Sequence, residues 1–256
     1  MSSPFAADIV IPVFNEGLNI RKVLDSLKAT AFPLRVLICY DFDEDDTLTA
    51  LKDYDPRPLQ LMLVRNRKRG AHAAVLSGFA ASEAPCVVTF PGDDDYNGAR
   101  IDLLVRKFRE GNDIVAASRF MPGGTMQACP LLKAVLVRSS AWFMYHVARV
   151  PTRDSSNGLR LFSRRVLDQI PIESELGFAY SIELLTKVHR LRWPIAEVPF
   201  LWHERKTGQS RFRTLGWLPE YLRWLFYALG TTFLRRGPET VRVRGHRGLS
   251  QSAHGH

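Results

Sequence analysis

Three consecutive carboxylates, Asp93-Asp94-Asp95, follow the apolar run Pro85 to Phe90. Side chains alternate in an extended segment, so Asp93 and Asp95 point the same way. Two carboxylates on one side can hold a hard divalent cation, magnesium or manganese, that also touches a diphosphate. The plain alternative is a solvated acidic turn capping a helix that starts near Ala99; the place behind an apolar strand favours metal. A second acidic set, Asp41, Asp43, Glu44, Asp45 and Asp46, follows the run Arg35 to Tyr40. Asp41, directly at the end of that run, suits a ligand. Asp45 or Asp46 suits the N-cap of a helix through Leu48 and Leu51. Gly70, Ala71 and His72 open a helix behind a basic stretch, Arg65 to Arg69. A helix N-terminus approached by cations can meet a phosphate, and an ordinary helix start with solvated arginines fits the pattern as well. No Walker sequence and no GxGxxG occurs, so phosphate-loop and dinucleotide readings lack support.

The elements that must position these residues have a regular spacing. DIVIPV, RVLICY, LQLMLV, PCVVTF and NDIVAAS begin at residues 8, 35, 59, 85 and 112, at intervals of 27, 24, 26 and 27. Between them apolar residues recur at helical spacing: Leu18, Val23, Leu24, Leu27; then Ala74, Leu76, Phe79, Ala80; then Ile101, Leu104, Val105, Phe108. Strands alternating with helices predict βαβ units and a mainly parallel sheet with helices on both faces. Ligands of such sheets bind beyond the carboxyl ends of the strands, where Asn15, Glu16, Asp41, the Asp93 to Asp95 turn and Arg119 all fall. After Ser118 the period breaks. A Gly/Pro-rich loop leads to a helix expected over 131–150. DSSNGLRLFS reads as a loop entering a short strand, 178–190 as a helix, PIAEVPFLW as a strand, and 214–234 as a second aromatic-rich helix. The tail from Arg235 carries five Arg against one Glu and is expected to be disordered.

With 256 residues, 46% hydrophobic and 24% charged, the composition is globular, which excludes collagen-like, disordered and disulfide-rich classes. Cys39, Cys86 and Cys129 are too few and too scattered for a disulfide framework or a zinc site, and fit a cytosolic chain. A net charge of +9 asks for an anionic partner: nucleic acid, an acidic membrane surface or a phosphorylated substrate. No recognisable nucleic-acid module supports the first. The start shows no basic stretch followed by an apolar one, so no signal peptide is expected. The longest late uncharged run, Trp224 to Leu234, has 11 residues, against about 20 for a spanning helix. Trp217, Tyr221, Trp224 and Tyr227 share one helix face. Flanked by basic residues, that face suits either the headgroup region of a membrane or protein packing.

Taken in order, these segments resemble the family 2 glycosyltransferases of GT-A fold. DIVIPVFNEGLNI is similar to their opening, RKRGAHAAVLSGFAAS to their third-strand-to-helix segment, and VVTFPGDDDYN to the stretch carrying their DxD metal motif. AASRF, DSSNGLRLFSRRVL, GFAYSIELL and EVPFLWHERKTGQSRFR follow in the family's order. Together, over roughly residues 7 to 213, they resemble the branch that makes polyprenyl-phosphate sugars. The resemblance implies an α/β GT-A (Rossmann-like) fold with residues 1–213 as the catalytic domain; by their own pattern 214–234 are expected to form an amphipathic helix suited to a membrane interface or to packing, and 235–256 a basic disordered tail. It implies an inverting transfer from a nucleoside diphosphate-sugar, aided by Mg2+ or Mn2+, to a polyprenyl phosphate at the cytoplasmic membrane face. A homodimer is a further expectation.

Carried over by position, Pro12, Asn15, Glu16 and Asp41 would hold base and ribose, and Gly70 and Asp94 would join the nucleotide-sugar site. Asp93 and Asp95 would hold metal and diphosphate. Arg119, and less directly Arg138, would meet the acceptor phosphate. Arg205, Ser210 and Arg211 would close a basic loop over the leaving group. The sequence departs from the family at the metal motif. The usual Asp-Ala-Asp followed by Leu is here Pro91-Gly92-Asp93 followed by Asp94, which makes Asp93 with Asp95 the preferred pair. Two alternatives remain at this point: a GT-A enzyme acting on a soluble or polysaccharide hydroxyl, and a sugar-nucleotide-binding protein that has lost catalysis.

Overall fold

The structure is a computed structural model that describes residues 3–127, 129–203 and 214–244; the side chains of 132, 133, 203 and 214–218 are not among the described ones. The chain runs β1 (Ala7–Pro12), α1 (Ile20–Leu27), β2 (Leu34–Tyr40), α2 (Asp46–Leu51), β3 (Gln60–Arg65), α3 (Ala71–Ala81), β4 (Cys86–Thr89). A 3-10 turn (Gly98–Arg100) then leads into α4 (Ile101–Arg109) and β5 (Ile114–Ser118). The remainder comprises β6 (Thr125–Gln127), α5 (Leu131–His146), β7 (Arg160–Ser163), α6 (Arg164–Gln169), α7 (Ala179–Leu191), β8 (Ile195–Pro199), β9 (Leu201–His203) and α8 (Thr214–Phe233).

Seven strands form one sheet in the order β3-β2-β1-β4-β7-β5-β8, and β6 pairs with β9 in a small parallel ribbon. All pairings in the large sheet are parallel except those of β7, which runs antiparallel between β4 and β5. The alternation that makes these strands also divides the core. Ile9, Ile11, Val36, Ile38 and Val88 face α1 and α4, while Val10, Leu37, Cys39 and Val87 face α3 and α7. Burial pushes the thiols of Cys39 and Cys86 up to about 12, so both are inert packing groups. The α/β sheet with helices on both faces is therefore as the spacing predicts. The antiparallel β7, α6 and the β6–β9 ribbon are additions that spacing alone does not reveal.

The carboxy-terminal helices correct one expectation. In α8, Trp224 is 1% exposed and, with Tyr221 and Tyr227, packs into the core against α7. The aromatic face, which suits either a membrane or protein packing by its sequence, is the protein-facing one; the side chain of Trp217 lies outside the described residues. An ion cluster reinforces the contact. Lys187, buried in α7, donates to Glu183 (2.7 Å), Glu173 (2.8 Å) and the Pro171 carbonyl, and Arg223 of α8 donates to Glu173 at 2.8 Å. Beyond α8, residues 235–244 are ordered against the domain. Val241 is buried, and the Arg244 N–H donates to the Gln169 carbonyl at 2.7 Å. The expected disordered tail is thus docked over its first part, and 245–256 lie outside the described residues. Among the described residues no helix is long and apolar enough to cross a membrane.

Candidate active site

The sheet reverses direction of growth at β1, with β2 on one side and β4 on the other. This switch point is where an open α/β sheet leaves a crevice at its carboxyl edge. Because β1, β2, β4 and β5 share one direction, the loops after Pro12, Tyr40, Thr89 and Ser118 all emerge there. Asn15, Glu16, Asp41, the aspartate turn and Arg119 are therefore gathered at one edge.

The loop after β1 is held by the acidic run after β2. Asp45 is fully buried and accepts from the Asn15 N–H (3.1 Å) and, as N-cap of α2, from the Thr47 N–H (2.9 Å). Asn15 sits at φ +54, a left-handed conformation that Asn tolerates better than most residues. The Glu16 N–H donates to Thr47 Oγ1 at 3.0 Å and the Gly17 N–H to Asp46 at 2.8 Å. Asp41 accepts from Asn66 Nδ2 (2.7 Å) and from the Gly70 N–H (2.9 Å). It thereby fastens the end of β3 and the start of α3, where φ +104 demands a glycine. The Gly70 N–H, considered above as a phosphate donor, is engaged by Asp41. A cleft of about 300 Å3 opens beside these loops, lined by Phe14, Phe42, Glu44 and Arg69. The rings of Phe14 and Phe42 meet edge to face at 5.4 Å.

The turn after β4 lies against the same loop. A side chain at Gly92 would stand 3.4 Å from the Pro12 carbonyl and 3.5 Å from Glu16 Cγ. Within the turn the three aspartates part. Asp94 is buried and accepts from the N–H groups of Tyr96 (3.1 Å) and Asn97 (3.0 Å) and from Asn97 Nδ2 (2.8 Å). Burial pushes its carboxyl up, opposed by those Asn97 and Tyr96 bonds. Asp94, grouped above with the nucleotide-sugar ligands, is thus committed to Asn97. Asp93 and Asp95 are half-buried on either side of it. A pair of hard carboxylates at i and i+2 fits Mg2+ or Mn2+ that keeps positions for water and phosphate oxygens. No group of three or more His, Cys, Asp or Glu that could hold a metal occurs among the described residues.

Arg119, at the end of β5, is oriented by a partner the sequence reading did not assign. Its Nε and Nη2 donate to Asp154 at 2.6 and 2.8 Å, and Nη2 also to Ser156 Oγ at 2.8 Å. Asp154 is fully buried, and its loop is braced from below. The buried Arg160 donates to the Asp154 and Ser155 carbonyls (3.4 and 3.2 Å) and to Ser181. Burial lowers the Arg160 guanidinium to about 10, with Asp154 opposing the shift. Phe120 is flanked by Arg119 (5.3 Å) and by Arg138 of α5 (5.6 Å). Arg205, Ser210 and Arg211 lie outside the described residues. The signal for Asp154 was in the sequence, within DSSNG, but an acidic loop residue carries no mark of its arginine partner.

A switch-point crevice with a carboxylate turn and an aromatic-edged cleft defines a nucleotide-binding α/β domain. Residues 8–171 match glycosyl transferase family 2, and the chain belongs to that family. It is 26% identical over 212 residues to a polyprenol monophosphomannose synthase of Mycolicibacterium smegmatis, covering 79% of each chain. It is 22% identical to a dolichol-phosphate mannosyltransferase of Pyrococcus furiosus, across 85% of this chain and 62% of that one. Among solved structures it resembles glucosyl-3-phosphoglycerate synthase of Mycobacterium tuberculosis, a complex with Mn2+ and uridine diphosphate. The TM-score is 0.64 at 17% identity, over 88% of this chain and 80% of the other.

Proposed function

We propose that this glycosyltransferase moves a sugar, with inversion, from a nucleoside diphosphate-sugar to a polyprenyl phosphate at a membrane surface, with Mg2+ or Mn2+ bound. The observation that carries the reading is the placement, at one sheet edge, of a two-carboxylate turn after β4 and a clamped arginine after β5. The names of the two curated relatives support the lipid phosphate as acceptor. Phe14 and Phe42 border the base, and Pro12, Asn15, Glu16 and Asp41 border base and ribose. Asp93 and Asp95 hold the cation, and Gly70 shapes the floor of the donor site. Arg119, oriented by Asp154, receives the acceptor phosphate, with Arg138 as a second cation. Arg205, Ser210 and Arg211 cover the diphosphate.

A phosphate oxygen of the acceptor attacks the anomeric carbon, a new C–O bond forms, and the bond to the nucleoside diphosphate breaks with its electron pair on the leaving group. The nucleophile is already an anion, so no side chain must remove a proton. What the chain contributes is alignment, through Arg119, and a fixed set of charges at the leaving group. The cation, when bound, neutralises charge developing on the diphosphate.

The lipid is reached in this reading through residues 131–146 and 214–234, beside the catalytic domain of residues 1–213. Leu131 (81% exposed), Val135, Leu136 and Trp142 on α5, and Leu222, Phe226 (66%) and Phe233 on α8, form apolar surface among Arg138, Arg223, Arg235 and Arg236. The two helices adjoin at their ends, where Thr232 Oγ1 donates to the Ala148 carbonyl at 2.7 Å. Such helices suit the headgroup region of an anionic bilayer. The test is transfer from labelled nucleoside diphosphate-sugars to a short-chain polyprenyl phosphate, with and without chelator and with soluble acceptors in parallel. Label in the organic phase that needs divalent metal supports the reading. Label only on soluble hydroxyl acceptors, or binding without turnover, overturns it.

A further inference from the structure

One side chain ties the aspartate turn to β9. Asn97 is fully buried between the turn and β9. Its Nδ2 donates to the Asp94 carboxylate and, at 2.8 Å, to the Leu201 carbonyl, while its Oδ1 accepts from the Leu201 N–H at 3.0 Å. One amide therefore imitates a strand partner for β9 and at the same time fixes the middle aspartate. Two neighbours leave the turn no slack. A Cβ at Gly98 would collide with the Ser26 carbonyl, so α1 packs directly on the backbone there. Arg100 Nη1 donates to the Pro199 carbonyl at 3.0 Å, a second bond to the same β8–β9 corner.

We propose that Asn97, with Asp94, is a positioning residue for the cation site: it fixes Asp93 and Asp95 relative to β9, the strand that leads into residues 204–213. This rests on the two-carboxylate cation site proposed above. The geometry explains why an aspartate occupies the middle of the triplet. It supplies the acceptor that orients the Asn97 amide, so that its remaining donor and acceptor both meet Leu201. Carboxylates that share a cation with a diphosphate must hold their separation without a protein cage, and a rigid support under the turn provides that.

The test compares Asn97→Ala and Asp94→Asn with Arg164→Ala. Arg164 supports the opposite sheet edge, donating to Ser82 Oγ and the Ala84 carbonyl, and has no part in the site. Mn2+ binding is followed by the loss of the free-ion electron paramagnetic resonance signal, with UDP and GDP supplied in turn, beside thermal melting and donor kinetics. The expected result is that half-saturation by Mn2+ rises about 10–100-fold in Asn97→Ala, with a smaller rise in the same direction in Asp94→Asn. In Arg164→Ala it stays within about twofold of the parent. If Asn97→Ala does not fold, Asp94→Asn is judged alone. A Mn2+ half-saturation in Asn97→Ala no more displaced than in Arg164→Ala, at a matched fall in melting temperature, overturns the proposal. If the parent protein transfers sugar yet binds no Mn2+, the cation site itself is wrong and the proposal falls with it, a result distinct from the first.

Discussion

After β2 the chain carries Asp41, Asp43, Glu44, Asp45 and Asp46; after β4 it carries Asp93, Asp94 and Asp95. In the first set Asp41, Asp45 and Asp46 are bonded to backbone N–H groups of other loops, and Asp43 pairs with Arg65 at 2.8 Å on the surface. In the second, Asp94 is bonded to the N–H groups of Tyr96 and Asn97 within its own turn. Acidic runs at equivalent strand ends thus give a framework between loops in one case and a half-buried pair of carboxylates beside a self-closed turn in the other. The burial of the neighbours decides which. A carboxylate under a loop with unsatisfied N–H groups is captured by them.

Four substitutions would break or sharpen that contrast. The largest effect is expected for Asp95→Asn, which removes a charge with little change of shape. Sugar transfer should fall about 100–1,000-fold while the melting temperature stays near that of the parent, measured by turnover and calorimetry. A large loss of stability with retained turnover would place Asp95 with the framework residues.

Asp8, at the far edge of the sheet, gives the purely structural extreme. It is fully buried, with Arg35 at 2.8 Å and the Glu83 and Ala84 N–H groups at 2.7 and 2.9 Å. Burial alone would raise its carboxyl, but Arg35 and the two N–H groups outweigh it and hold the group below the ordinary range. Asp8→Ala should cost about 3 kcal/mol at pH 7 in urea unfolding. A depressed carboxylate contributes above its unfolded value, about 3.9, and loses that contribution as pH falls through its lower folded value. The difference between parent and variant should therefore persist down to about pH 4 and narrow below it.

Asp45→Ala removes an N-cap and the anchor of Asn15 together, and should cost about 2 kcal/mol by urea titration. The smallest effect is expected for Asp43→Asn, whose ion pair is mostly exposed: under about 0.5 kcal/mol, with turnover unchanged. A larger cost there would mean that the surface of the first acidic set also supports the cleft.

Much of this was legible in the sequence. Five apolar runs at near-constant intervals specify parallel strands, and the acidic residues behind them fall together at one edge, because a parallel sheet presents all its strand ends on one side. Local signals do not contain direction, however. LRLFS reads as a strand whichever way it runs, so the insertion of β7 between β4 and β5 was hidden. A stripe of aromatics at Tyr221, Trp224 and Tyr227 has the same period whether it meets lipid or a neighbouring helix. The partner of Arg119 lies 35 residues away, and the role of Asn97 depends on a strand 104 residues away. Pairings at that distance are decided by packing and leave no trace in spacing.

The placement of β7 also sets a timetable for biosynthesis. A ribosome that has completed Ser118 has made both neighbours of β7, yet the strand that joins them begins only at Arg160. At about 5–20 residues per second, the inner edges of Cys86–Thr89 and Ile114–Ser118 stay open on the order of seconds. Both are buried throughout in the finished sheet. A nascent or prematurely ended chain therefore displays two adjacent, unpaired apolar edges, the kind of surface that other strands and chaperones capture. The amino-terminal βα repeats, for all their regularity, are completed by a strand supplied late from the other half of the chain.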